Sequence, residues 1–166
     1  MRSRSRSFAV LAVVAVVASA RSTAQATHQE FKPHLYAPLD MTFGKGPASL
    51  PAGAQVVVLE GNPAEPGPFT MRFKLPAGYR VPPHFHPGLE HVTVIQGTFL
   101  VGVGEKEDPA AMKELSAGGF MVTPPGQKHF VRAQGETVIQ VHGVGPWGIT
   151  YVNPADDPRG QAKPDR

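Results

Sequence analysis

Four residues of this 166-residue chain have the types and spacing to do chemistry together: His84, His86, Glu90 and His129. Residues i and i+2 of an extended strand point to one face, ~7 Å apart at the backbone. His84 and His86 follow Pro82-Pro83, which disfavours helix and favours extended chain. Both imidazoles therefore project one way and can converge on one ion, while Phe85 faces the other way. Pro87-Gly88 is a turn signal, so Glu90 opens the returning strand within reach of the same point. His129 follows a second turn signal, Pro124-Pro125-Gly126, and completes the set if its strand lies beside the first hairpin. Three neutral imidazoles and one carboxylate suit one divalent transition metal ion (Mn, Fe, Zn, Ni, Co or Cu) and suit Ca or Mg poorly. If the ion is six-coordinate, four protein ligands leave two positions for a small oxygenated molecule, with or without O2.

Elements that could hold such a set recur along the chain. Short apolar or alternating segments occur at 55–59, 69–75, 92–95, 99–103, 120–123, 130–133, 137–142 and 149–152, separated by Gly, Pro and Asn turn signals. That rhythm predicts an all-β sandwich or barrel. Asp108-Pro109-Ala110-Ala111 is the one helical hint: Asp caps, Pro suits the first turn, and the excursion is short. Residues 27–54 read as an N-terminal arm that packs on the barrel or on a partner subunit, and 153–166 as a polar, frayed tail.

The segment before residue 27 reads as a targeting signal. Arg2, Arg4 and Arg6 precede an apolar or small-residue run at 8–20, and Ala24-Gln25-Ala26 supplies a small-residue cleavage motif. This order predicts a secretory signal peptide cut near Ala26, with Ala20 and Ala24 as other candidate positions. The run is short for a stable membrane anchor. The protein is therefore expected to be exported to the periplasm or secreted. Four of the 16 basic residues lie in this segment (Arg2, Arg4, Arg6 and Arg21) and none of the 13 acidic ones. The remainder carries 12 basic against 13 acidic residues, a net of −1, which gives nucleic acid or an anionic membrane nothing to bind. There is no Cys, so disulfides cannot stabilise an exported form.

The two histidine segments resemble the paired motifs of the cupins. Gly78, His84, His86, Glu90 and Gly97 match the first, G-x5-H-x-H-x3-E-x6-G, with every gap correct. Gly118, Pro124, Gly126 and His129 match the second, G-x5-P-x-G-x2-H, whose final Asn is Ala133 here. The resemblance implies a single small β-barrel or jelly roll over 55–152, with the four ligands facing its interior. It also implies a homodimer and one of several metal chemistries: an O2-using dioxygenase, or a lyase, decarboxylase or isomerase. A non-catalytic periplasmic protein that binds metal or a small ligand is the alternative. Around the site, His142 and Tyr79 are candidate acid/base groups, and Phe73 and Gln140 are candidate pocket residues, Gln140 and His142 sharing one strand face. His91 is expected to face away from its neighbour Glu90, and Trp147 to anchor a turn by packing.

Overall fold

The computed structural model describes residues 32–160. The leader at 1–26 lies outside the described residues, as do 161–166 of the tail. The compact unit that carries the site begins at Tyr36.

Among the described residues that unit is all-β, with eleven strands in chain order: β1 (Gly44–Lys45), β2 (Gln55–Glu60), β3 (Gly67–Leu75), β4 (Arg80–Phe85), β5 (Glu90–Gln96), β6 (Thr98–Val103), β7 (Lys113–Ser116), β8 (Phe120–Thr123), β9 (His129–Ala133), β10 (Thr137–Gly145) and β11 (Thr150–Tyr151). A six-stranded sheet runs β1-β2-β3-β10-β5-β8 and a five-stranded sheet runs β11-β4-β9-β6-β7. Every pairing is antiparallel. The only helical elements among the described residues are three-residue 3-10 turns, including Pro109–Ala111, where the Asp108 side chain accepts from the Ala110 N–H. No helix among them is long and apolar enough to cross a membrane.

Alternation builds the core. In β3 the side chains of Phe69, Met71, Phe73 and Leu75 are buried, while Thr70 and Arg72 on the opposite parity are only partly so. Phe99, Val131 and Ala133 supply the facing sheet. Area removed from water is worth roughly 25 cal/mol per Å², so this shared interior between the sheets is what holds a cysteine-free chain together.

Two local devices set the positions of the metal-type residues. Pro82 and Pro83 have no N–H for the ladder, and the β4–β9 register slips there: Val81 opposes Val131 and His84 opposes His129, three steps against two. The extra residue changes parity. Val81 and His84 thereby both reach the interior, and His86 follows His84 two residues on. The second device is the turn at 124–127. Gly126 has φ +74°, a left-handed conformation that favours glycine, and its N–H donates to the His86 carbonyl at 2.9 Å. This bond ties the start of β9 to the end of β4.

In the first part of the tail segment, as far as Gly160, 3-10 turns occupy Pro154–Asp156 and Pro158–Gly160, and Arg159 Nη2 donates to the Ile149 carbonyl at 3.1 Å. The arm packs on the barrel from β1 onward. Tyr79 Oη donates to Pro51 O and Tyr151 Oη to Ser49 O, and Leu50 lies against the core. Strand β4 was expected only as extended chain around His84 and His86, and β7 was not expected at all. The first is masked by its two prolines and the second is a polar edge, Lys-Glu-Leu-Ser.

Candidate metal centre

His84, His86 and His129 come together at the floor of a cavity between the sheets. One ring nitrogen from each lies within 4.8 Å of the others, and all three side chains are buried. The third corner of this triangle is cross-strand: His84 and His129 are direct partners, with ring centroids 4.2 Å apart. Glu90, the first residue of β5, places Oε2 3.3 Å from His86 Nε2 and 4.0 Å from His129 Nε2.

Each imidazole is oriented by backbone. His84 Nδ1 lies 2.7 Å from Pro82 O, His86 Nδ1 2.6 Å from Gly148 O, and His129 Nδ1 3.1 Å from Gln127 O. A carbonyl can only accept, so each Nδ1 carries the proton and each Nε2 presents its lone pair to the centre. Burial keeps all three rings neutral: it is the largest cause lowering each pKa below the ordinary 6.5, and the His84 ring is further depressed by His129 and His86 beside it. Neutral imidazoles are the form a metal requires. Locked Nδ1 donors, convergent Nε2 acceptors and an adjacent carboxylate fit a transition-metal ion, so the cluster is able to hold one.

Glu90 is 5% exposed, and burial raises its pKa above the usual carboxylate value. The strongest opposing influence is Trp147, whose Nε1–H donates to Glu90 Oε1 at 3.0 Å. Oε1 is thus occupied by indole and Oε2 is the oxygen turned to the histidines. Trp147 also stacks on His86, with centroids 5.5 Å apart and planes 24° apart, and its own backbone N–H donates to Pro63 O. The packing anchor expected from sequence is therefore also a hydrogen-bond partner of the site. Its signal in the sequence is only Gly145-Pro146-Trp147-Gly148, which says nothing of a partner 57 residues away.

The other candidates divide. Phe73 lines the cavity. Tyr79 also lines it, but its hydroxyl is committed to Pro51 O at 2.7 Å, and burial pushes its pKa far above the ordinary 10. His142 and Gln140 lie on the other side of β10: the neighbours that reach the cavity are Ile139 and Val141, so the opposite parity faces outward. There Gln140 Oε1 accepts from Arg72 Nη2 at 2.7 Å, and the His142 ring stacks on His91, centroids 4.7 Å and planes 4° apart. His91 does face away from Glu90.

A two-sheet antiparallel jelly roll enclosing three histidines and a glutamate defines the class of protein. Residues 71–144 match the Cupin domain family. Among relatives it is similar to the auxin-binding protein ABP19b of Prunus persica, 37% identical over 67 residues, which are 40% of this chain and 32% of that protein. It is also similar to the germin-like protein 5-1 of Oryza sativa subsp. japonica, 41% identical over 61 residues, 36% of this chain and 28% of the relative. The chain's match thus spans about a third of the length of these relatives. Among solved structures, a provisionally assigned acetylacetone dioxygenase from Methylibium petroleiphilum PM1 superposes with TM-score 0.58 at 21% identity, covering 78% of this chain and 88% of that one. Salicylate 1,2-dioxygenase from Pseudoaminobacter salicylatoxidans superposes with TM-score 0.50 at 17% identity, covering 63% and 30%. At these identities the likeness concerns the fold.

Proposed function

We propose that this chain is a metal-dependent enzyme acting on a small oxygenated organic substrate, of the dioxygenase or the lyase, decarboxylase or isomerase type. The observation that carries the reading is the convergence of three imidazoles and Glu90 Oε2 in the lining of a cavity rather than in a closed shell. A structural metal site closes its coordination with protein, whereas a catalytic one leaves positions for a substrate. When bound, the ion supplies Lewis acidity and, if it is iron, manganese or copper, access to O2 chemistry. The chain's own residues hold His84, His86 and His129 in one tautomer through Pro82, Gly148 and Gln127, fix Glu90 through Trp147, and exclude water with an apolar wall. The dioxygenases among the structural neighbours are consistent with the oxidative branch.

One observation favours the second reading, a periplasmic protein that binds metal or a small ligand without turnover. Among the described residues, apart from the four metal-type ones, the only cavity-lining side chains with N or O atoms are Tyr79 and Trp147, and both donors are already hydrogen-bonded. Among the described residues no further acid or base lines the cavity.

We further propose that the protein works outside the cytoplasm after cleavage near Ala26, on the strength of its leader-like first segment. We propose too that it is a homodimer. The half-exposed Phe120, Val122 and Ile95 on the six-stranded sheet support that assembly. The deciding experiment purifies the exported protein, measures its metal content, and follows oxygen uptake and product formation with diketones, catechols, flavonols and small carboxylates. Stoichiometric metal with turnover supports the enzyme. Stoichiometric metal with tight ligand binding and no turnover selects the binding protein, and failure to hold any transition metal overturns both.

A further inference from the structure

The cavity above the metal-type cluster measures about 480 Å³, its open mouth included. Its walls are built from Phe73, Val92, Met121, Ile139, Val141 and Ile149, with Leu50 of the arm. Among the described residues no Lys, Arg, Asp, Asn, Gln, Ser or Thr lines it, and Glu90 is its one acid. The hydroxyl of Tyr79 and the indole N–H of Trp147 are engaged elsewhere. Among the described residues the wall holds no cation and no free donor, and the Tyr79 oxygen, which can still accept, is its one remaining hydrogen-bonding group for the body of a bound molecule.

Charge balance narrows the occupant. Three neutral imidazoles, one carboxylate and a divalent ion sum to a single positive charge. In an apolar enclosure a net charge is costly unless compensated. A chelator that contributes one negative charge neutralises the centre. A chelator with two, or with a carboxylate remote from the ion, leaves a negative charge with no cation to meet it.

Resting on the metal-site reading above, we propose that the cavity selects monoanionic O,O-chelators whose remaining body is uncharged and apolar, and discriminates against dicarboxylates and polyhydroxylated molecules. The wall residues are specificity-determining in this view, acting by what they lack as much as by shape. A site built without a partner for a substrate's polar group penalises that group heavily.

Acetylacetone and malonate make the test. They have the same three-carbon O,O-chelating frame, but the first binds as a monoanion with two methyl groups where the second carries two more oxygens and a second charge. The protein is loaded with one divalent transition ion, metal content is measured, and each chelator's dissociation constant is determined by calorimetry. The readout is the ratio of the two constants, divided by the ratio for the same ion free in buffer. The expected result is a shift of about 100-fold toward acetylacetone, the size of one uncompensated charge taken into a partly water-excluded site. Glu90→Gln, loaded at saturating metal, raises the charge of the centre by one and is expected to move the ratio back toward malonate by about tenfold or more. Wild-type protein that holds metal but shows no shift, or one toward malonate, overturns this proposal and leaves the metal site standing. An unmoved ratio in Glu90→Gln does the same. Wild-type protein that takes up no ion overturns both.

Discussion

Glu90 and His91 are consecutive residues at the start of β5, yet they belong to two different groups of histidines. On the inner side, Glu90 joins His84, His86 and His129, and each of those rings has its Nδ1 bonded to a backbone carbonyl. On the outer side, His91 meets its cross-strand partner His142 in a parallel stack, with the Phe120 ring 6.0 Å from His91. There the buried Nδ1 atoms of both rings have no hydrogen-bond partner. The inner group is aimed and its tautomer is set, so its free nitrogens converge. The outer pair is held by packing, and rings with planes 4° apart confine their lone pairs to two separate parallel planes rather than aiming them at a shared point. What separates a ligand from a packing residue here is not the amino acid but the parity of the strand and the carbonyl placed behind the ring.

Removing one residue from each group gives the largest contrast. His129→Ala deletes one of three convergent nitrogens, and its effect on metal affinity should exceed the roughly 10–100-fold that loss of a mere supporting contact produces. His142→Ala should leave the metal content unchanged. Metal analysis of both proteins after identical loading checks the pair, and retention of full occupancy by His129→Ala would remove the inner group's claim to be a site.

A smaller effect is expected one contact further out. Trp147→Phe keeps an aromatic ring against His86 but deletes the donor to Glu90 Oε1. Metal affinity should fall about tenfold. Trp147→Leu, which also loses the stack, should fall further, and equal affinities for wild type and Trp147→Phe would show that the indole hydrogen bond does not position the carboxylate.

Much of the inner group was legible from sequence, because its signals are local. His-x-His after two prolines needs only the two-residue period of a strand, and each turn is marked by Pro and Gly. The β4 register slip was not legible, although Pro82 and Pro83 cause it, because its consequence depends on the partner strand. The inner parity of β10 was not legible for a related reason. Val138, Ile139 and Val141 are all apolar, so the segment has no clean alternation, and its register against β5 shifts between Val138 and Ile139. Sequence therefore offered no way to tell that Gln140 and His142 face outward. Trp147 was legible as an anchor but not as a partner of Glu90, since nothing local links residues 57 apart.

The metal-free protein should show the inner group's burial as a dependence of stability on pH. The folded pKa values of His84, His86 and His129 lie below the ordinary 6.5, so as pH falls below 6.5 the unfolded chain takes up protons that the folded chain refuses. Stability is full above 6.5 and falls as pH drops toward the folded values, by up to about 1.4 kcal/mol per histidine per pH unit. Glu90 acts with the opposite sign. Its raised folded pKa stabilises the folded state at low pH and is a liability as pH rises from 4.5 toward that value. Urea midpoints between pH 7.5 and 5.5 should therefore fall, and His84→Leu should flatten the slope. A wild-type slope no steeper than that of His84→Leu would mean the rings are not held neutral by burial.

The smallest effect belongs to the outer pair. Replacing His142 by Leu removes a ring stack but also a buried nitrogen that has no partner. Deleting an unsatisfied buried polar atom offsets the lost contact, so the unfolding free energy from urea titration should change by no more than about 1 kcal/mol in either direction. Metal content should be that of the wild type. A loss of several kcal/mol would mean that the stack fastens β10 to β5, and a loss of metal would mean that the two faces of the six-stranded sheet are coupled through the Glu90-His91 backbone. Either result would dissolve the distinction between aimed and merely packed histidines.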